Sequence, residues 1–161
     1  KSWTITFILF CKNLSFSTNI PVLKMPQALE NFKKVDILNA ISYNYDQLLC
    51  QLADTNYDFI VDRGLLTGIV YHRVFQRDND ISYIEKILNK FNFVVLSGDP
   101  EKIKQRKQDE VIQPVFIESL NVEYLNVVRE FLDDSNSIVI DSTFFNQQEV
   151  LQKVLQKFYE K

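Results

Sequence analysis

Cysteine is nearly missing: the 161 residues hold two, Cys11 and Cys50, far apart and with no histidine beside either. That spacing excludes a disulfide framework and a thiolate metal site. A reducing compartment, the cytoplasm, is the expectation. The single histidine, His72, has no evident partner and reads as a structural or surface residue. An excess of basic charge is missing too. Eighteen Lys and Arg stand against 21 Asp and Glu, a formal charge of −3, so nothing marks a nucleic-acid-binding surface. Long apolar runs are absent, since Ile5–Cys11 is too short to cross a bilayer. A membrane is therefore not an expected partner. With three glycines and four prolines there is no linker or low-complexity stretch, and no repeat is visible. One domain over 1–161 is expected. No methionine opens the chain, so the expectation is that it begins inside a longer one.

What is present is ordinary for a globular domain: 46% apolar and 24% charged residues, enough for a sizeable core. Short apolar runs rich in Val and Ile occur at Pro21–Met25, Tyr57–Val61, Phe91–Leu96 and Ser137–Ile140. Such runs suit strands buried on both faces of a parallel sheet. Between them lie stretches with apolar residues at helical spacing: Val35–Leu52, Ile81–Lys90, Phe116–Leu132 and Gln147–Tyr159, with Leu66, Ile69, Val70 and Val74 continuing the pattern after the second run. Strand alternating with helix predicts an α/β fold, a three-layer parallel sheet with helices on both faces.

Ligands of open α/β sheets bind beyond the carboxyl ends of the strands. The residues placed there are Lys24 and Pro26, then Asp62-Arg63, then Gly98-Asp99-Pro100, then Asp141-Ser142-Thr143. Strand ends are polar in most α/β proteins, so no one of these sites is decisive alone. The competing reading is Asp62 as a helix cap and Arg63 as a surface charge.

The chain opens Lys1-Ser2 and runs into Trp3–Leu14, with Trp3, Phe7, Ile8, Phe10, Cys11 and Leu14 apolar. A Walker A loop, GxxxxGK[ST], ends in that dipeptide and enters a helix. A β-branched strand over Thr4–Ile8 is the alternative; the order of the remaining elements favours the helix.

The ordered set resembles a P-loop nucleoside or nucleotide kinase of the thymidylate kinase and deoxynucleoside kinase group. In thymidylate kinases the third strand is followed by Asp-Arg, then a small hydroxyl residue, a small residue and an aromatic. Here these are Asp62, Arg63, Thr67, Gly68, Val70 and Tyr71. Phage-type relatives have a similar helix with further basic residues near the positions of Arg73 and Arg77. "FVVLSGDPEKIKQR" resembles the approach to the family's lid, "NVEYLNVVREFL" the helix after it, and "SIVIDSTFFNQQEVLQKVLQKF" the closing strand, adenine loop and last helix. The resemblance covers nearly the whole chain.

It implies ATP and Mg²⁺ as cofactors and a nucleoside or nucleoside monophosphate as the small-molecule partner. Lys1 would clamp the donor phosphates, Ser2 would bind Mg²⁺, and Asp62 would position the metal shell or the attacking oxygen. Arg63 would grip phosphate as a planar fork. Arg106, in a lid of about residues 101–114, would close over the moving group; the competing reading is a solvated helix face. Asp141, Ser142 and Thr143 would lie near the donor base. Lys24, Thr67, Tyr71 and Arg73 would face the acceptor, although Lys24 also reads as a surface lysine and Tyr71 as core. A homodimer built through apolar helices such as Val35–Leu52 is a further implication.

Departures from the pattern are specific. The Walker A glycines, with the first strand, are expected upstream of residue 1. Asn44 or Tyr45 stands where thymidylate kinases often carry an arginine. Gly64 replaces an aromatic or histidine, and the lid region is poor in arginine. Thymidylate as acceptor is thereby weakened. Two alternatives remain: a nucleotide-binding module without turnover, and a P-loop NTPase with another output.

Overall fold

The computed structural model describes residues 11–24, 35–62, 64–76, 82–106 and 114–160, without the side chains of Lys24, residues 35–43, Lys104, Arg106 and residues 114–116. The first helix, α1, is described over 11–18. Asn19 ends it in the left-handed region, φ 57°, where Asn is among the few residues that sit readily. The helix expected to reach Leu14 therefore continues past it; Thr4–Ile8 lies outside the described residues.

β1 (Val22–Lys24) pairs in parallel with β2 (Ile60–Asp62). Their ladder begins where the Pro21 carbonyl accepts from the Ile60 N–H at 2.8 Å. Pro21 has no N–H to return, so pairing cannot extend further back. This is why the second strand starts later than Tyr57, which is 80% exposed. α2 (Val35–Leu52) connects the two strands over the predicted range. α3 (Leu65–Val74) follows β2, and its N-cap is Gly64, so Asp62 is the last residue of the strand and not a helix cap.

The segment expected as one helix over Ile81–Lys90 is broken. It forms α4 (Ser82–Glu85), then a 3₁₀ turn, Leu88–Lys90. The chain must turn here to enter β3 (Phe93–Ser97), and Asn89 and Asn92 are weak helix formers. α5 (Pro100–Arg106) starts on proline, as a first helical position tolerates. The Asp99 carboxylate caps it, accepting from the Lys102 N–H at 2.9 Å. α6 (Pro114–Phe131), β4 (Ser137–Asp141) and α7 (Gln147–Phe158) complete the order. α7 begins with a reciprocal capping box between Asn146 and Glu149.

β3 pairs with β4, again in parallel, from Phe93↔Ser137 to Ser97↔Asp141. Among the described residues the ladders are thus two parallel pairs, where one sheet was expected. Side-chain alternation sorts each pair between two cores. Leu23, Val61, Phe93 and Val95 pack with Tyr45, Leu49, Ile69 and Val127 from α2, α3 and α6. Val22, Ile60, Val94, Leu96, Ile138 and Ile140 pack with Cys11, Leu14, Val150 and Val154 from α1 and α7. Among the described residues, no helix is long and apolar enough to cross a membrane.

Candidate functional site

Two strand ends carry polar residues in defined arrangements. The first is the end of β2. Asp62 stands there, opposite Lys24 in the ladder register. The first turns of α3 bring Gly68 beside Asp46 of α2. A Cβ built on Gly68 would stand 2.5 Å from an Asp46 carboxylate oxygen, so the absent side chain is what lets that carboxylate lie against the helix. Asp46 is 5% exposed and its neighbour Tyr45 6%. Burial, with Asp62, Asp46 and Cys11 adding to it, pushes the Tyr45 phenol well above its usual range. α2 and α3 therefore meet over a buried carboxylate that sequence periodicity alone does not reveal. The signal was the adjacent pair Tyr45-Asp46 on an otherwise apolar helical stripe.

The second is the end of β3 and β4, where two loops are laced together. The Ser142 hydroxyl and N–H both donate to the Ser97 carbonyl, at 2.8 and 2.9 Å. The Asp99 N–H donates to Thr143 Oγ1 at 2.7 Å, and the Thr143 N–H to an Asp141 carboxylate oxygen at 2.8 Å. A Cβ on Gly98 would crowd both hydroxyls at 3.1 Å. Asp141, Ser142 and Thr143 are thus brought together, with their polar atoms bracing the loop. Phe144 follows, 75% exposed, with the Lys102 ammonium 5.7 Å from its ring centre.

α6 spans both ends. The Asn121 amide donates to the Gly98 carbonyl at 2.8 Å, and the Tyr124 hydroxyl to Thr67 Oγ1 at 2.9 Å. These residues sit three apart and so share one helix face. Sequence reasoning missed both; their spacing in "NVEYL" was the available signal.

The remaining predicted residues are placed as follows. Lys1, Ser2 and Arg63 lie outside the described residues, as do the side chains of Lys24 and Arg106. Thr67 joins the β2 end. Tyr71 packs edge-on to Phe75, ring centres 5.3 Å apart, and borders the larger core. Arg73 lies on the seam between α3 and α6. Its guanidinium binds Glu130 at 2.7 and 3.0 Å and Glu123 at 3.3 Å, and lies 5.3 Å from the Phe131 ring centre. It is six residues along α3 from Thr67, about 9 Å at a helical rise, and the structure does not bring it to the strand ends.

Among the described residues, no group of three or more His, Cys, Asp and Glu could hold a metal ion. A single strand-end carboxylate such as Asp62 still fits Mg²⁺, a cation that keeps several waters and takes one or two carboxylates from protein. A shallow depression of about 380 Å³ lies elsewhere, along β4 and α7, with Ile140, Phe145 and Lys153 in its wall. It contains none of the predicted site residues and is too open to outweigh the strand ends.

No family model matches the chain, and no curated protein matches it. Solved structures do. A YorR protein from Bacillus subtilis, in complex with phosphorylated GDP, is 21% identical with a TM-score of 0.67, covering 93% of this chain and 87% of its own. Thymidylate kinase from Candida albicans is 16% identical with a TM-score of 0.60, covering 92% and 84%. At these identities the likeness is one of fold, and the chain has a nucleotide kinase-like α/β fold.

Proposed function

We propose that the chain is an ATP-dependent phosphotransferase acting on a nucleoside or nucleoside monophosphate. The carrying observation is Asp62. It ends β2, stands opposite Lys24 and does not cap α3. An acid held at a strand end, followed directly by a basic residue, suits phosphoryl transfer, where charge placement supplies most of the catalysis.

The two parallel strand pairs are read as parts of one sheet. Their side chains feed the same two cores, which supports three layers. In this reading Lys1 holds the donor phosphates, and Arg63 and Arg106 face the charge on the moving phosphoryl group. Asp62 and Ser2 hold Mg²⁺, which when bound supplies charge neutralisation at the phosphate oxygens. The braced loop Asp141–Thr143 borders the donor base. Thr67, steadied by Tyr124, faces the acceptor. Arg73 serves as a brace between helices.

The test is ADP release by the full-length protein with Mg-ATP and a panel of deoxynucleosides and monophosphates. Turnover with one acceptor, reduced about 100-fold or more in Asp62→Ala, is the expected result. ATP binding without any product would overturn it in favour of a binding module. Hydrolysis that needs no acceptor would overturn it in favour of an NTPase with another output.

A further inference from the structure

β4 bonds to β3 along one edge. The Asn136 carbonyl accepts from the Phe93 N–H, and the Ser142 N–H donates to the Ser97 carbonyl. Bonding residues alternate along a parallel ladder, so Ile138 and Ile140 also turn their backbone groups toward β3. Ser137, Val139 and Asp141 turn theirs the other way. The Asp141 carbonyl is taken up locally by the Phe144 N–H at 3.3 Å, which makes Val139 the centre of the outer edge. That edge is open. Val139 is 40% exposed, and the depression between β4 and α7 runs along it. Among the described residues no strand lies beside it. An open strand edge is a template on which an extended peptide adds as a further strand.

The wall of the depression sets which peptide fits. Ile138 and Ile140 pack toward α7, so Val139 points to the opposite face. α7 presents Lys153 and Lys157 over the edge, one turn or about 6 Å apart. The described wall holds no acidic residue; Asp133 acts on Lys157 from an exposed position outside it. The Lys153 ammonium is held 4.3 Å from the Phe145 ring centre, so its direction is set before a ligand arrives. Alternate side chains of a strand stand about 7 Å apart, close to the lysine spacing. A strand of alternating acidic and apolar residues would set its carboxylates at the lysines and its apolar side chains beside Val139. A second copy of this chain fits worse. Edge-to-edge pairing about a twofold axis would bring both lysine pairs to one face of the joined sheet, where like charges repel.

We propose that the outer edge of β4 is a docking site for an extended acidic segment of a partner protein, which adds to the sheet beside Val139 with its carboxylates on Lys153 and Lys157. This is independent of the phosphotransferase reading.

The experiment titrates the full-length protein into a fluorescein-labelled peptide, Thr-Val-Glu-Val-Glu-Val-Thr, followed by anisotropy. A second peptide has lysine for both glutamates. Two more carry backbone N-methyl groups, one on the valines and one on the glutamates. The wild type binds the acidic peptide at least about tenfold more tightly than the basic one. Only one alternate set of peptide N–H groups can face β4, so one N-methylated peptide loses about tenfold or more in affinity, the worth of one hydrogen bond or more, and the other does not. Lys153→Glu/Lys157→Glu, whose melting reports that it is folded, reverses the preference between acidic and basic peptides. Should that variant not fold, Lys153→Gln/Lys157→Gln abolishes the preference instead. Hydrogen exchange of the Val139 amide slows when the acidic peptide is bound.

No binding of the acidic peptide at millimolar concentration would overturn the proposal and leave the lysines as guards of an exposed edge. Equal affinities for the two N-methylated peptides would overturn strand addition in favour of simple charge attraction. Binding that leaves Val139 exchange unchanged would put the peptide elsewhere and overturn the site. A wild-type dimer that slows Val139 exchange by itself would give the edge to a second copy and overturn the assignment of the partner.

Discussion

Gly68 sets how closely α3 can approach α2. Its missing Cβ is the space that an Asp46 carboxylate oxygen borders, with Ile84 behind at 3.5 Å. Alanine would improve helix propensity by about 1 kcal/mol. It would also overpack a buried carboxylate that has little room to turn away, at about 1–3 kcal/mol. The second effect wins. Gly68→Ala should unfold at lower urea, with a net loss of up to about 2 kcal/mol, and a midpoint at or above wild type would show that Asp46 yields. At this scale the sequence was only partly legible. Asp62 and Thr67 were visible because they end a run or follow it at family spacing. Asp46 was not, because a charged residue on a helix reads as solvent-facing until the neighbouring helix is placed over it. Arg73 shows the opposite case. Its charge suggested a ligand contact, but two glutamates fifty or more residues away take up its hydrogen-bonding edge.

The α3–α6 pair makes a pH-dependent joint. Hydrogen bonding from Arg73 holds the Glu130 carboxyl below the usual carboxylate range, and hydrogen bonding to Glu130 first, then to Glu123, pushes Arg73 up. A carboxyl with a lowered folded pKa adds stability above its unfolded value, about pH 4.3, and loses it as pH falls through the folded value. Arg73→Gln should therefore lower the melting temperature at neutral pH. The gap from wild type should close below about pH 4 and shrink in high salt. A gap that is constant across pH would assign the effect to packing on Phe131. Elements themselves were well legible. α2 has the predicted bounds and α7 ends one residue short, because long amphipathic stretches carry many repeats of their period. Ile81–Lys90 failed because a short apolar pattern does not distinguish a helix from two successive turns that bury Ile84 and Leu88 equally well.

For the whole molecule, the order of strands and helices was readable from period alone, while the pairing of strands was not. Alternation tells which faces are apolar and not which strand lies beside which. The nucleotide kinase-like fold nevertheless makes a global prediction. Mg-ATP at a hundredfold excess over its dissociation constant should raise stability by about 2.7 kcal/mol, read as a higher melting temperature. Chelation of Mg²⁺ should reduce that gain. A melting temperature indifferent to ATP at millimolar concentration would remove nucleotide binding from the account.

The parallel ladders also govern the order in which the chain can fold. Val22 waits for Ile60, and Phe93 for Ser137, so each ladder closes a long loop that a hairpin would not need. On the ribosome, Phe93–Ser97 emerges well before its neighbour and spends that interval as an apolar strand with its β4 edge unpaired. Nascent chains halted before Ser137 are thus the species most exposed to mispairing. Synthesis of β4 and α7 protects β3 as much as it completes the braced loop at Asp141–Thr143.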